Sequence, residues 1–439
     1  MTRTRRTARL LLSGGAVVVL AAGLLAAGTA FGGTHGPVAP PAAPVAAPAP
    51  DQLAAGIATL QDDLRRVPAN DRAWAQLGAG YIQQARLTAD PSLYAKASGA
   101  FAKSLSLRPE ANAPALAGQA SLAAARHEFA RAVSLADRAL RANPYSGAAL
   151  AVKTDGLVEL GRYAEARGVL DRLLALHPGV DSFSRASYAL ELQGEQEQAR
   201  SALERALAAA SASADKAFAH YYLGELAWNS GDLAGAAAGY DAALLDDPSY
   251  VPPLTGRAKV RAARGDVDGA LADYRTAVAR QPQPATLVEL GELLESVGRL
   301  PEAREQYAVV RATQQLYAAS GQVVDAELSL FEADHGDPAQ AVALAKRAHA
   351  ARPDSIVAQD AYAWALHAAG RDAQALPLAR AAARTGLRSP SLLYHLGAIE
   401  AATGDRAGAR GTLGRALALN TAWNPLAAPR ARALLDGLG

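Results

Sequence analysis

The sequence predicts an all-α solenoid, a superhelix of about ten stacked helical hairpins closed by capping helices. Three observations along its 439 residues carry that fold class. Alanine recurs at Ala97, Ala132, Ala166, Ala199, Ala236, Ala270, Ala303, Ala341, Ala375 and Ala409, in steps of 33 to 38 residues, the period of a stacked supersecondary unit. Glycine precedes the alanine by about five residues at Gly161, Gly194, Gly231, Gly265, Gly298, Gly336, Gly370 and Gly404, where a helix must end in the left-handed conformation. Proline closes many units, at Pro109, Pro144, Pro178, Pro248, Pro282 and Pro353, because it stops the second helix and opens the next turn.

The chain begins with Arg3, Arg5, Arg6 and Arg9 ahead of an uncharged run from Leu10 to Phe31. A basic flank before an apolar run is an export signal, and about 20 such residues also suffice to span a bilayer. Residues 1–31 are therefore either a signal peptide or a membrane anchor. The arginines favour a cytoplasmic N-terminus and an exported, extracytoplasmic remainder, membrane-anchored or secreted. Residues 32–50 read as a linker, in which Pro37 to Pro50 alternate proline with alanine and valine, a composition that forms an extended stalk or a disordered spacer rather than a packed core. Within 51–68, Leu53, Ala54, Ile57, Leu60 and Leu64 keep a helical period up to Pro68, which predicts an N-terminal capping helix.

The repeat array is expected over 69–426. In each unit the small alanine lets two antiparallel helices approach closely. Four residues later an apolar residue lines the buried face, at Phe101, Ala136, Leu170, Leu203, Tyr240, Tyr274, Tyr307, Ala345, Ala379 and Leu413. Extra residues near Ser211–Lys216 and Arg311–Gly321 mark sites of altered superhelical curvature. After Trp423-Asn424-Pro425 breaks the pattern, residues 427–439 can form a short C-terminal capping helix.

Leu223-Gly224, Ala227, Gly231, Ala236, Tyr240, Ala243 and Pro248 of the fifth unit, and Trp74, Leu77, Gly78 and Tyr81 of the first, give the chain its family character. On these residues it resembles the tetratricopeptide repeat family, from about Ala69 to Thr421. The resemblance implies a binding protein, with a protein or peptide as partner, and no catalytic, cofactor or metal site. The start of the array is also similar to repeat domains of cytochrome c biogenesis proteins, which implies, as the alternative, a holdase or maturation factor for exported proteins.

Charge and composition narrow the function further. Without the four N-terminal arginines the chain has 40 basic residues against 42 acidic, a net of −2, which lacks the basic footprint of a nucleic-acid binder. The membrane is reached only through the N-terminal segment. With no cysteine the exported domain stands on packing alone. The eight histidines are scattered, and neither a zinc-protease, a phosphate-loop nor a nucleophile-elbow motif occurs, so an enzyme is not expected. Asp246-Asp247 before Pro248 reads as a solvated helix end rather than a cation site.

In this family the concave face is lined by the first helix of each hairpin. Registering the units puts Tyr188, Glu191, Tyr221, Glu225, Trp228, Asn229, Lys259, Glu292, Glu295, Asp360, Trp364, His367 and Tyr394 on or near it. Aromatic rings beside carboxylates suit a peptide carrying basic or amide groups. Trp228 and Trp364 either clamp such a peptide or pack between hairpins. The lysine and asparagine clamp for C-terminal carboxylates, which the family resemblance would supply, is replaced here by tyrosine, glutamate or threonine.

Overall fold

The computed structural model describes residues 50–439; residues 1–31, expected to be a signal peptide or anchor, and nearly all of the proline-rich linker lie outside them. Helix α1 (Pro50–Arg66) leads into ten antiparallel hairpins. These are α2 (Asp71–Thr88) with α3 (Leu93–Leu107), α4 (Ala113–Ala125) with α5 (Phe129–Ala142), α6 (Gly147–Glu159) with α7 (Tyr163–Leu176), α8 (Val180–Glu191) with α9 (Gln196–Ala209), and α10 (Ser213–Asn229) with α11 (Leu233–Asp246). There follow α12 (Pro252–Ala263) with α13 (Val267–Arg280), α14 (Pro284–Ser296) with α15 (Leu300–Ala319), α16 (Asp325–His335) with α17 (Pro338–Ala351), α18 (Ile356–Ala368) with α19 (Asp372–Ala382), and α20 (Pro390–Ala402) with α21 (Arg406–Leu419). Helix α22 (Ala427–Gly437) packs on the last hairpin. Among the described residues there is no strand, and the fold is the α-solenoid the repeat period predicts.

Local chemistry explains where the helices start. Asn70, Asn112, Ser146, Asp232, Asp266, Asp337, Ser389 and Asp405 each accept a backbone N–H of the first turn through the side chain, satisfying a donor that the helix leaves unpaired. Pro50, counted with the linker in the sequence, already opens α1, where a missing N–H costs no helical hydrogen bond.

Packing explains how the hairpins stack. The ten ladder alanines are at most 2% exposed. Where the residue four positions later is the large ring of Phe101, Tyr240 or Tyr307, it fills a slot bounded by glycine on the leading helices. A methyl group on Gly78 or Gly118 would overlap the Phe101 ring, one on Gly224 or Gly256 the Tyr240 ring, and one on Gly291 the Tyr307 ring. Ring and slot are thus complementary, and the slot sets the distance between successive hairpins.

Between α15 and α16 the backbones stand further apart, at the extra residues near Arg311–Gly321, and side chains bridge the gap. Tyr307 lies 5.8 Å from the Phe331 ring and 4.4 Å from the His335 ring, and Arg311 pairs with Glu332 at 3.3 Å.

The array also folds over itself. Gln281 Nε2 donates to the Arg86 carbonyl (2.8 Å), the Val323 N–H to the Arg126 carbonyl (3.0 Å) and Arg352 Nη1 to Glu159 Oε2 (2.9 Å). The Ile356 N–H donates to the Tyr163 hydroxyl (3.1 Å) and Asn420 Nδ2 to the Trp228 carbonyl (2.7 Å). Four of these pairs are 192 to 195 residues apart, so the internal turn of each early hairpin rests on the junction between the fifth and sixth hairpins after it. Two superhelical turns are stacked along one seam. Gly161, Gly194 and Gly231, all at positive φ, face the backbones of Asp354, Gly386 and Leu419 so closely that a side chain would overlap them.

Candidate functional site

The leading helices of successive hairpins contact one another and bring carboxylates and rings together. On α10, Glu225 accepts the Tyr240 hydroxyl at 2.6 Å and pairs with Lys259 Nζ of α12 at 2.9 and 3.1 Å. The Lys259 ammonium lies 5.4 Å from the centre of the Trp228 ring, within cation–π range. Tyr221 packs among Tyr222, Tyr240 and Tyr250 with ring centres 4.9 to 6.0 Å apart. Asn229 donates to Glu191 of α8 at 3.1 Å. Six of the residues registered on the inner face, namely Glu191, Tyr221, Glu225, Trp228, Asn229 and Lys259, therefore form one group.

That group is short of positive charge, and its acids respond. Burial, only partly offset by Asn229 and reinforced by Glu225, pushes the Glu191 carboxyl up to about 8. Burial lifts Glu289 on α14 to about 7, against the pull of Lys259 and with the repulsion of Glu225 and Glu292. Both carboxyls thus titrate near neutral pH.

A second group forms where α14 meets α16. Glu292 accepts Asn424 Nδ2 at 2.8 Å and lies 3.1 Å from His335 Nε2, while the Tyr307 hydroxyl donates to Glu295 at 3.0 Å. Burial opposes charge on His335, yet Glu292 and its acidic neighbours prevail and hold the imidazole above its ordinary value. The third group gathers Asp360, Trp364, His367 and Tyr394. Trp364 stacks on His395 at 4.1 Å, donates to Asp334 at 2.9 Å and lies 5.4 Å from the Tyr394 ring. His395 Nδ1 is 3.0 Å from both Asp360 oxygens, and His367 Nδ1 is 2.5 Å from Asp372. Tyr188 stands apart on α8, its hydroxyl raised well above the usual phenol range by burial and then by Glu159.

None of the thirteen residues is exposed. Tyr188, Glu191, Trp228, Glu292, Asp360, Trp364 and Tyr394 are buried, whereas Tyr221, Glu225, Asn229, Lys259, Glu295 and His367 are half-buried. The part that solvent reaches centres on α10, α12 and α14. Sequence reasoning passes over Tyr240, Tyr274, Tyr307, Glu289, His335 and Asn424 as site residues. The signal for the tyrosines is the change from leucine or alanine to tyrosine at the slot position of three consecutive hairpins, which adds a hydroxyl within reach of a glutamate. Asn424 lies in the irregular turn before α22 and carries no periodic signal. Asp246 is taken by His220 Nδ1 of α10 at 2.6 Å, and Asp247 accepts the Ser249 N–H at 2.9 Å in the turn after α11, so both acids are engaged within the fold. Among the described residues no set of three or more His, Asp or Glu side chains is arranged to hold a metal ion. No described helix is long and apolar enough to cross a membrane.

The tetratricopeptide repeat family model matches residues 117–181, 153–215 and 255–322. Among solved structures, the Cut9 and Hcn1 hetero-tetramer of the APC/C is 15% identical over 88% of this chain and 93% of that one, with a TM-score of 0.40. YrrB, a tetratricopeptide repeat protein described as having an unusual peptide-binding site, is 21% identical over 42% of this chain and 92% of its own, with a TM-score of 0.29. A monomeric mutant of IFIT1 with Gppp-AAAA is 14% identical over 82% of this chain and 75% of its own, with a TM-score of 0.39. No curated protein matches the sequence.

Proposed function

We propose that this chain is an extracytoplasmic scaffold that holds a protein or peptide segment against the half-buried acidic stretch of its inner face. The observation that carries the proposal is the excess of carboxylate there. Glu191, Glu225, Glu289 and Glu292 stand on successive parts of one face, and two of them are lifted to about 7 and 8. A lysine or arginine side chain from a partner pairs with the half-buried Glu225, Glu289 and Glu295, displacing the proton that Glu289 otherwise holds, and the surrounding tyrosine rings supply apolar area at low entropic cost. The export half of the proposal rests on the arginine-flanked apolar run at the N-terminus.

Calorimetric titration of the full chain with a lysine-rich peptide and with a glutamate-rich peptide of equal length tests the partner's chemistry. The basic peptide is expected to bind, more weakly as salt rises. The double variant Glu225→Gln/Glu295→Gln is expected to lose about tenfold in affinity, roughly 1.4 kcal/mol. Equal binding of the two peptides would exclude the acidic face as the determinant. A reporter fused after residue 439 that is active only outside the cytoplasm tests the location independently.

A further inference from the structure

The seam joins two kinds of edge, and each kind has an uncovered counterpart elsewhere in the molecule. In the first superhelical turn the internal hairpin turns at Gly161, Gly194 and Gly231 are covered by the junctions that precede α18, α20 and α22. The equivalent internal turns of the second superhelical turn, at Gly265, Gly298, Gly370 and Gly404, have the same positive φ, and a side chain there would meet open space. On the opposite edge of the first turn, the junctions between α1 and α2, α5 and α6, and α7 and α8 bear exposed apolar side chains. These are Val67, Tyr145 and Leu176, the tyrosine 68% exposed. Val297 and Leu300 are exposed beside Gly298 on the other free edge. Five of the nine large apolar side chains that are exposed among the described residues thus lie on these two edges. Apolar groups gathered on one face mark a contact surface, whereas single scattered ones do not.

We propose that the two free edges bind one another between copies of this chain, so that the turn-over-turn packing inside the molecule continues head to tail from one molecule to the next. The occupant is a second copy because the first turn's free edge is made of the same junction turns that the seam already seats on glycine-bearing internal turns. An association of two different edges is heterologous and grows into rings or filaments rather than stopping at a symmetric dimer.

Sedimentation velocity on the full chain, from about 1 µM to about 100 µM, reads the assembly over the range where weak interfaces form. The sedimentation coefficient is expected to climb with concentration. Tyr145→Glu/Leu176→Glu disables one edge and Val297→Glu/Leu300→Glu the other, and each is expected to sediment as a monomer with an unchanged thermal melt. Mixed in equal amounts, the two variants are expected to form a one-to-one dimer and nothing larger, because one intact edge of each kind remains. A wild-type chain that stays monomeric over the whole range overturns the proposal, and protection of Tyr145 in that monomer would assign the edge to the chain's own first 49 residues. Failure of the mixed variants to dimerise, or self-association of either variant alone, overturns it as well.

Discussion

Trp228 is 1% exposed, roofed by the Lys259 ammonium and fixed by a backbone carbonyl that accepts Asn420, so its first role is packing. Trp228→Ala is expected to cost about 3–5 kcal/mol, the range for large aromatic truncations in a core, read from urea unfolding. A variant that melts like the wild type but no longer binds a partner would return the indole to a recognition role. Glu191 supplies a second prediction at this scale. Its folded-state value is raised, so the folded protein holds that proton more tightly than the unfolded chain does. The stability it contributes is complete below the ordinary carboxylate range and is lost as pH climbs through about 8. Glu191 alone is expected to lower stability between about pH 5 and pH 8 by on the order of 2–4 kcal/mol, since each tenfold gain in proton affinity on folding is worth about 1.4 kcal/mol. Glu191→Gln, which mimics the protonated acid, is expected to flatten its share of that slope while Glu159 and Glu289, raised to about 7, keep theirs. His127 slopes the other way. Burial and then Arg352 push its imidazole down to about 3, so its contribution is complete above the ordinary histidine value and is lost as the pH falls toward 3. His127→Asn, which tolerates the same left-handed backbone at φ 61, is expected to relieve the acid-side loss in pH-dependent melting.

The hairpin is the element at which sequence and structure meet most closely. Alanine, glycine and proline positions recur because each is fixed by contacts within one hairpin or with the next, and such contacts leave a mark at a constant interval. The slot shows both the power and the limit of that legibility. Leu223-Gly224 and Tyr240 are readable as repeat positions, and the ring does sit between Gly224 and Gly256. Apolar periodicity, however, counts tyrosine as one more hydrophobe, so the 2.6 Å bond from its hydroxyl to Glu225 has no signature in the pattern. The same rule puts Trp228 on the inner face and does not say how deep it lies. Depth depends on the side chains of two neighbouring hairpins together. Gly256→Ala tests the slot. In an exposed helix this change stabilises by about 1 kcal/mol, but here the new methyl group overlaps a rigid, fully buried ring. The expected result is a lower melting temperature, recovered in part by Tyr240→Leu, which narrows the occupant.

The seam belongs to the whole molecule, and no short stretch of sequence encodes it. It exists because the rotation accumulated over more than five hairpins brings Asp354 back onto Gly161, and a small change per hairpin would carry the two apart. An ordinary linear array has only nearest-neighbour contacts and can fray unit by unit, whereas contacts at a separation of 193 residues tie the third hairpin to the ninth. The two superhelical turns should therefore unfold together as long as the seam holds. Gly161 and Gly370 separate this coupling from backbone strain, since their φ values are 77° and 70° but only Gly161 is covered by a facing backbone. Alanine at either position costs about 1–2 kcal/mol for the left-handed conformation. Gly370→Ala is expected to show that loss alone, within one cooperative urea transition. Gly161→Ala must also displace the Asp354–Ser355 junction, so it is expected to lose more and to resolve into two transitions. Hydrogen exchange would then show α12 to α22 opening at a lower free energy than α2 to α11, because the second turn has lost its footing on the first. If the two variants unfold alike, the seam is a resting contact without energetic weight, and the array behaves as a chain of independent neighbours.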